Sequence, residues 1–449
     1  MKKWLISLWI TGLLPVATTY SQQTLTLESC RTLAIQSNKE LQIAKGKTKV
    51  AEHEKKAAFT RYFPQVSASG TYLRNEKNIL LLEPGTLGPL EALLPPNIND
   101  LFLLDIQNVW IGGISLVQPL FAGGKILYYN QIAEYAKELA ESVNNAKLQE
   151  IICRTDETYW QVISLTNKKK LADSYWQLLQ KMNQDVDEMI AEGVATRAEG
   201  LSVKVRFNEA EVAQTKVNNA LTLSRMLLAQ LCGLHPDQPF LLADEINPQP
   251  TTTKEDREGN RPGIDRPELR SLELATKIYK KKEQIALADM LPNIALSANY
   301  LVSNPSSFNG FKSEFGGMFN AGVVVKIPLS AWWEGTHKRK AARAESLIRE
   351  LEYDDAREKI ELQVNQSAYQ VNEAQKKLAA SSRNMENAEE NLRHAHTGFE
   401  EGVIPALNLM EAQTAWLSAS SELIDAQIEV KLTEVYLAKA LGRLTTNHE

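Results

Sequence analysis

Residues 292–300 read PNIALSANY and residues 64–72 read PQVSASGTY. After each proline the side chains alternate strictly. Ile294, Leu296, Ala298 and Tyr300 fall on one side, with Asn293, Ala295, Ser297 and Asn299 on the other; Val66, Ala68, Gly70 and Tyr72 oppose Gln65, Ser67, Ser69 and Thr71 in the same phase. A period of two with one apolar side is the mark of a strand. A second such run precedes another proline in each half. Trp110, Gly112, Ile114 and Leu116 lead to Pro119, and Phe319, Ala321, Val323 and Val325 lead to Pro328, with small or polar residues prominent on the opposite side. Four strands are therefore predicted, near 65–76, 109–119, 293–303 and 318–328. Apolar on one face and small or polar on the other, at about ten residues each, is the pattern of a transmembrane barrel strand. Tyr62, Phe63, Trp110, Phe121, Trp332 and Trp333 flank or end these runs, where membrane-interface aromatics collect.

The pairing of these runs belongs to a duplication of the chain. Glu192-Gly193-Val194 recurs as Glu401-Gly402-Val403, Pro119-Leu120 as Pro328-Leu329, and Cys232-Gly233-Leu234 answers Leu441-Gly442-Arg443, each pair 209 positions apart. Fixed-offset self-similarity identifies two structural repeats, assigned to 22–246 and 268–449. The Pro-, Thr- and charge-rich segment 247–267 reads as the connector. Pro64 and Pro119 stand farther apart than Pro292 and Pro328, and the surplus falls in the Leu/Pro-rich segment 79–104, an enlarged loop.

Neither proline nor glycine occurs between Gly124 and Glu192, or from Thr336 to Thr397. The pattern predicts helices over 122–192 and 335–400, each about 100 Å long at ~1.5 Å per residue. Val364, Val371, Leu378, Met385, Leu392 and Phe399 recur every seventh residue, with Ser367, Ala374, Ser381, Ala388 and Ala395 three positions later. A sustained heptad of large and small residues makes a supercoiled seam. Each rod ends at a turn, Glu192-Gly193-Val194-Ala195-Thr196 or Glu401-Gly402-Val403-Ile404-Pro405, and a return helix follows over 196–232 or 405–443.

The chain opens Met1-Lys2-Lys3, continues through the apolar stretch 4–16 and turns small and polar by Ser21, the form of a signal peptide over 1–21. No later stretch supplies the ~18 apolar residues of a transmembrane helix. A net charge of −5 gives no electrostatic footprint for nucleic acid. Cys30, Cys153 and Cys232 are too few and too scattered for a disulfide framework and read as small core residues. His394 and His396, two apart, do not share a helix face, and no nucleophile has a base beside it. No catalysis, metal or cofactor is expected.

Together, the signal peptide, the opening Leu25-Thr26-Leu27-Glu28, the Pro-marked strand pairs, the long paired helices and the tandem repeat resemble the TolC-like outer-membrane efflux channels. The resemblance covers nearly the whole mature chain. It implies a homotrimer with a shared twelve-stranded β-barrel in outer-membrane lipid and an α-barrel tunnel in the periplasm of a Gram-negative bacterium. It further implies a periplasmic adapter that docks on 192–196 and 401–405 and leads to an inner-membrane pump. A pore constriction carried over by position falls on Glu199, Asn408 and Glu411. Small-solute efflux is the leading expectation for cargo, with type I protein secretion as the alternative. A soluble periplasmic coiled-coil adapter or tether, in which the strands form ordinary sheet, is the rival from another class.

Overall fold

In the computed structural model the described residues are 23–80, 86, 88–89, 103–246, 266–310 and 312–444. The expected signal peptide, nearly all of the connector and most of the Leu/Pro-rich loop lie outside them. The chain is mainly helical and divides into two compact units.

One unit holds the described residues of Glu40–Lys147 and Asp265–Leu362. Its centre is an antiparallel sheet of β2 (Gln65–Arg74), β5 (Asn108–Phe121), β7 (Asn293–Asn304) and β8 (Gly316–Lys326) in the order β2-β5-β7-β8. Between β2 and β5 the short strands β3 (Ile79–Leu80) and β4 (Leu103–Leu104) pair with each other. The sheet joins the two repeats through the β5–β7 register, Ile114 opposite Tyr300 and Leu116 opposite Ala298. Pro119 is tolerated in this inner strand because β2 ends at Gln65 opposite Val117, and a bulge separates Pro119 from Phe121.

The register assembles a continuous apolar face from Val66, Ala68, Ile114, Leu116, Leu296, Tyr300, Phe319 and Val323. The reverse face is mostly small or polar, with Leu73, Ile111, Val117, Leu301, Met318 and Val324 interspersed. Ser67 and Ser115 hydroxyls lie 2.7 Å apart, and Asn299 Nδ2 donates to Asn320 Oδ1 at 3.0 Å. Gly317 leaves room for the Tyr300 ring, since a Cβ there would sit 2.5 Å from Tyr300 Oη.

Packed in the same unit are most of α2 (Lys39–Phe59) and α6 (Pro267–Ala288), helices that the strand pattern had not delimited. Asn130 Nδ2 of α3 (Lys125–Ala191) donates to Ala58 O at 3.1 Å, and Thr276 Oγ1 donates to Arg349 O of α7 (Ala331–Glu400) at 3.2 Å. Trp332 and Trp333 fall in the first turn of α7, which starts four residues earlier than the sequence suggests.

The other unit takes the described residues of Met1–Lys39, Leu148–Ile264 and Gln363–Glu449. It contains α1 (Leu27–Ser37), the remaining turns of α3 and α7, the return helices α4 (Arg197–Cys232) and α8 (Ala406–Ala440), and the short helix α5 (Ala243–Ile246). Parallel pairing of β1 (Gln23–Leu25) with β6 (Phe240–Leu242) buries Leu25 and Leu242 beside Cys30, Tyr159, Leu228 and Cys232. All three cysteines are free and buried. Along α7 the small heptad residues are the deepest: Ser367, Ala374 and Ser381 are buried, whereas Val364, Val371 and Leu378 are half-buried. Close approach of helices at a small-residue floor explains that order.

Arg31 of α1 forks onto Asp156 of α3, with Nε and Nη2 donating at 2.8 and 2.6 Å. Asp156 is fully buried, and burial lifts its carboxyl above the usual range against the opposing pull of Arg31. Removing one partner strands the other charge away from water. Arg31→Met is expected to destabilise this unit by about 3–5 kcal/mol, and adding Asp156→Leu to restore most of the loss. Equilibrium denaturation of the wild type and the two variants in detergent measures both changes.

Candidate functional site: the helical-hairpin tips and the strand faces

Both rods stop by the same backbone device. At the first tip Gly193 has φ +78°; its amide donates to Ile190 O at 3.1 Å, and the Val194 amide donates to Met189 O at 2.9 Å. At the second, Gly402 has φ +71°; its amide donates to Phe399 O at 3.0 Å, and the Val403 amide donates to Gly398 O at 2.8 Å. This is the Schellman stop, which places a residue in the left-handed region and so favours glycine.

The restarts differ. Thr196 opens α4 with a capping box: its Oγ1 accepts from the Glu199 amide at 3.3 Å, while Glu199 Oε2 accepts from the Thr196 amide at 2.7 Å and its hydroxyl at 2.9 Å. Pro405 opens α8 without a side-chain cap. The sequence signal for the first was present as Thr196-x-x-Glu199, and it gives Glu199 a local role that positional transfer to a pore does not anticipate.

Beneath the turns the four helices share one apolar cluster, with Leu179, Val186, Val203, Ala406, Leu409 and Met410 buried in it. A Cβ at Gly200 would lie 2.6 Å from Ile190 Cδ1, so this glycine lets α4 approach α3 closely. Both tips are thus held by a single core, and Val194 and Val403 project from it at 70% and 74% exposure. Asn408 and Glu411 lie on the exposed side of α8 with Leu407, Thr414 and Ala415, opposite the buried Leu409 and Gln413. Among the described residues Glu411 forms no ion pair, whereas the Glu199 carboxylate folds back on Thr196.

The flanking aromatics are exposed and fall into two groups. Tyr62, Phe63, Phe121, Trp332 and Trp333 stand at the helix-connected ends of the strands. Trp110 is at the other end, its ring tilted by 40° against Tyr72 with the centroids 4.5 Å apart. Among the described residues no helix is long and apolar enough to cross a membrane.

A sheet with one exposed apolar face and one polar face, joined to long helices that double back through matched tips, defines an outer-membrane channel protomer. The chain belongs to the outer membrane efflux protein family, whose model matches residues 31–234 and 264–443. It is 22% identical to the alkaline protease secretion protein AprF of Pseudomonas aeruginosa, over 71% of this chain and 67% of that protein. It is 20% identical to the outer membrane protein TolC of Vibrio cholerae, over 74% and 76%. The fold matches the Campylobacter jejuni CmeC outer membrane channel with a TM-score of 0.76 at 14% identity, covering 93% of this chain and 85% of that one. For VceC of Vibrio cholerae the TM-score is 0.75 at 16% identity, covering 93% and 96%. The chain is accordingly an outer-membrane exit channel of the efflux or secretion type, with a periplasmic portion, in a family of channels rather than enzymes. The soluble-adapter reading is set aside by that membership.

The unequal caps have a measurable consequence. Thr196→Ala is expected to cost about 1 kcal/mol at the start of α4, seen as roughly fivefold faster amide exchange in its first turn. The Thr196 amide and hydroxyl hold the Glu199 carboxyl below its usual range. A lowered folded-state value contributes stability above the unfolded pKa, and that contribution is lost as pH falls from there through the folded value. The cap's protection should therefore persist at pH 5 and fade only below about 4, which exchange measured across that range tests.

Proposed function

We propose that three copies close a twelve-stranded barrel in the outer membrane, four strands each, above a helical tunnel in the periplasm. The observation that carries this is the open sheet: among the described residues β2 and β8 each pair on one side only. Unpaired backbone edges are not tolerated in hydrocarbon. Two chains would supply eight strands, whose interior side chains fill, so three is the smallest number that leaves a conducting lumen. From Phe63 to Tyr72 the strand advances about 30 Å. A tilt of ~40° brings this near the ~25 Å apolar band of such barrels, with one aromatic group at each border.

The tips 192–196 and 401–405 dock a periplasmic adapter, which couples the duct to an inner-membrane pump. Exposed Val194 and Val403 supply its apolar contacts. Glu199, Asn408 and Glu411 form the constriction, and Glu411 is the carboxylate free to face permeating ions. The cargo is drugs or other small solutes. A protein cargo is the second reading, favoured by the relative that bears the name alkaline protease secretion protein.

Heat-modifiable migration as a trimer and conductance in planar bilayers test the assembly; a detergent-independent monomer that carries no current would refute it. Glu411→Gln should reduce single-channel cation selectivity, and unchanged selectivity removes Glu411 from the constriction. Gly402→Val should abolish efflux-dependent drug resistance while trimers persist. A Cβ at 402 meets nothing within 4 Å, so the effect is confined to the strained backbone, about 1–2 kcal/mol, and normal resistance would exclude docking at this tip.

A further inference from the structure

Residues 337–343 read HKRKAAR, placing Lys338, Arg339, Lys340 and Arg343 within two turns of α7 with no acidic residue between Glu334 and Glu345. The duplication does not require them. At the 209-residue offset the first repeat has Tyr128, Tyr129, Asn130, Gln131 and Glu134, so the charge was set independently of the helix's packing role. Local pairing leaves half of it uncompensated. Lys338 meets Glu334 at 2.7 Å and Arg339 lies 3.7 Å from Glu283. Lys340 and Arg343 are exposed and form no ion pair among the described residues.

Their position on the helix is the second observation. At 3.6 residues per turn, Lys340 lies two turns below Trp333 on the same face, and Arg343 three turns below Trp332. Both indoles are exposed, at 61% and 79% for Trp332 and Trp333. They follow six and seven residues after β8 ends at Lys326. Helical side chains lean toward the N-terminus, so the basic groups reach back toward the indoles and the strand ends. Lys340 lies about 10 Å below Trp333 along the axis, and its flexible stem shortens that gap.

We propose that this patch binds the anionic headgroups of phospholipids in the periplasmic leaflet. Trp332 and Trp333 sit at the headgroup level, while Lys340 and Arg343 reach back to pair with the phosphates. Charge complementarity selects the occupant: an uncompensated basic patch directly under exposed indoles matches a layer that is apolar above and negative beneath. The proposal rests on the lipid-facing reading of the strands given above.

The test uses the full-length trimer in vesicles of phosphatidylcholine, doped at equal mole fraction with brominated phosphatidylcholine or brominated phosphatidylglycerol. Bromine quenches nearby tryptophan, and the Trp332→Phe/Trp333→Phe variant isolates the signal of these two indoles. In low salt, phosphatidylglycerol is expected to outcompete phosphatidylcholine about twenty-fivefold at this site, given roughly a factor of five for each of the two basic residues at a lipid surface. The Lys340→Gln/Arg343→Gln trimer should show a ratio near one. Equal quenching of the wild type by both lipids, or a preference that survives in the double variant, overturns the proposal. Failure of either brominated lipid to quench these indoles would instead strike the lipid-facing reading beneath it. Conversely, quenching by phosphatidylcholine without a headgroup preference leaves that reading standing and removes only the basic site.

Discussion

Backbone hydrogen bonding at the sheet's two edges governs the molecule. β2 and β8 each present a row of N–H and C=O groups that no other described strand satisfies. Every such group costs several kcal/mol in hydrocarbon, so one edge alone would consume the 5–15 kcal/mol by which folded proteins are ordinarily stable. Strand direction offers the remedy. β2 runs away from the helices and β8 runs back toward them, so β8 of one copy beside β2 of the next continues the antiparallel order. Their lengths, 10 and 11 residues, match. In the proposed ring this contact is head-to-tail, and such a contact closes when the rotation allows it.

The proposed closure would also set what each face must be. The side lined by Ser67, Ser115, Asn299 and Asn320 forms its own hydrogen bonds across strands, which satisfies those groups but leaves lone pairs that only water can complete. Ile114, Leu116, Phe319 and Val323 have no polar atoms to satisfy and lie on the other side. A sheet built this way is stable where water meets one face and lipid the other. In bulk water the apolar face would be an exposed patch of the kind soluble monomers rarely carry.

The sequence disclosed what is periodic. Alternation after Pro64 and Pro292 marks strands because the two faces meet different solvents, and the heptad from Val364 to Phe399 marks a seam because one helix face meets another. It was silent where the determinants are non-local or aperiodic. Arg31 and Asp156 are 125 residues apart and neither sits in a pattern, yet together they tie α1 to α3. Nothing in the strands announced that β5 pairs with β7, since two separate hairpins satisfy the same alternation. Helices α2 and α6 carry several lysines on exposed faces and lack the long uninterrupted run that exposed α3 and α7. Glu199 carries two signals at once: the family resemblance assigns its position to a pore constriction, while the local Thr196-x-x-Glu199 spacing specifies the cap that the structure shows.

Duplication gave the two tips one backbone, but divergence gave them unequal restraint. Their glycines, their stop hydrogen bonds and their shared apolar cluster are equivalent. Only the first return helix has side-chain acceptors for its leading amides. At the second, Pro405 contributes none, and the first turn relies on its own carbonyl, which accepts from the Asn408 amide at 3.1 Å. Local opening is easiest where the fewest groups must be unpaired, so the start of α8, which carries Asn408 and Glu411, is the less restrained of the two. One hairpin is thus capped at its restart, and the other is left uncapped beside the exposed Glu411 carboxylate.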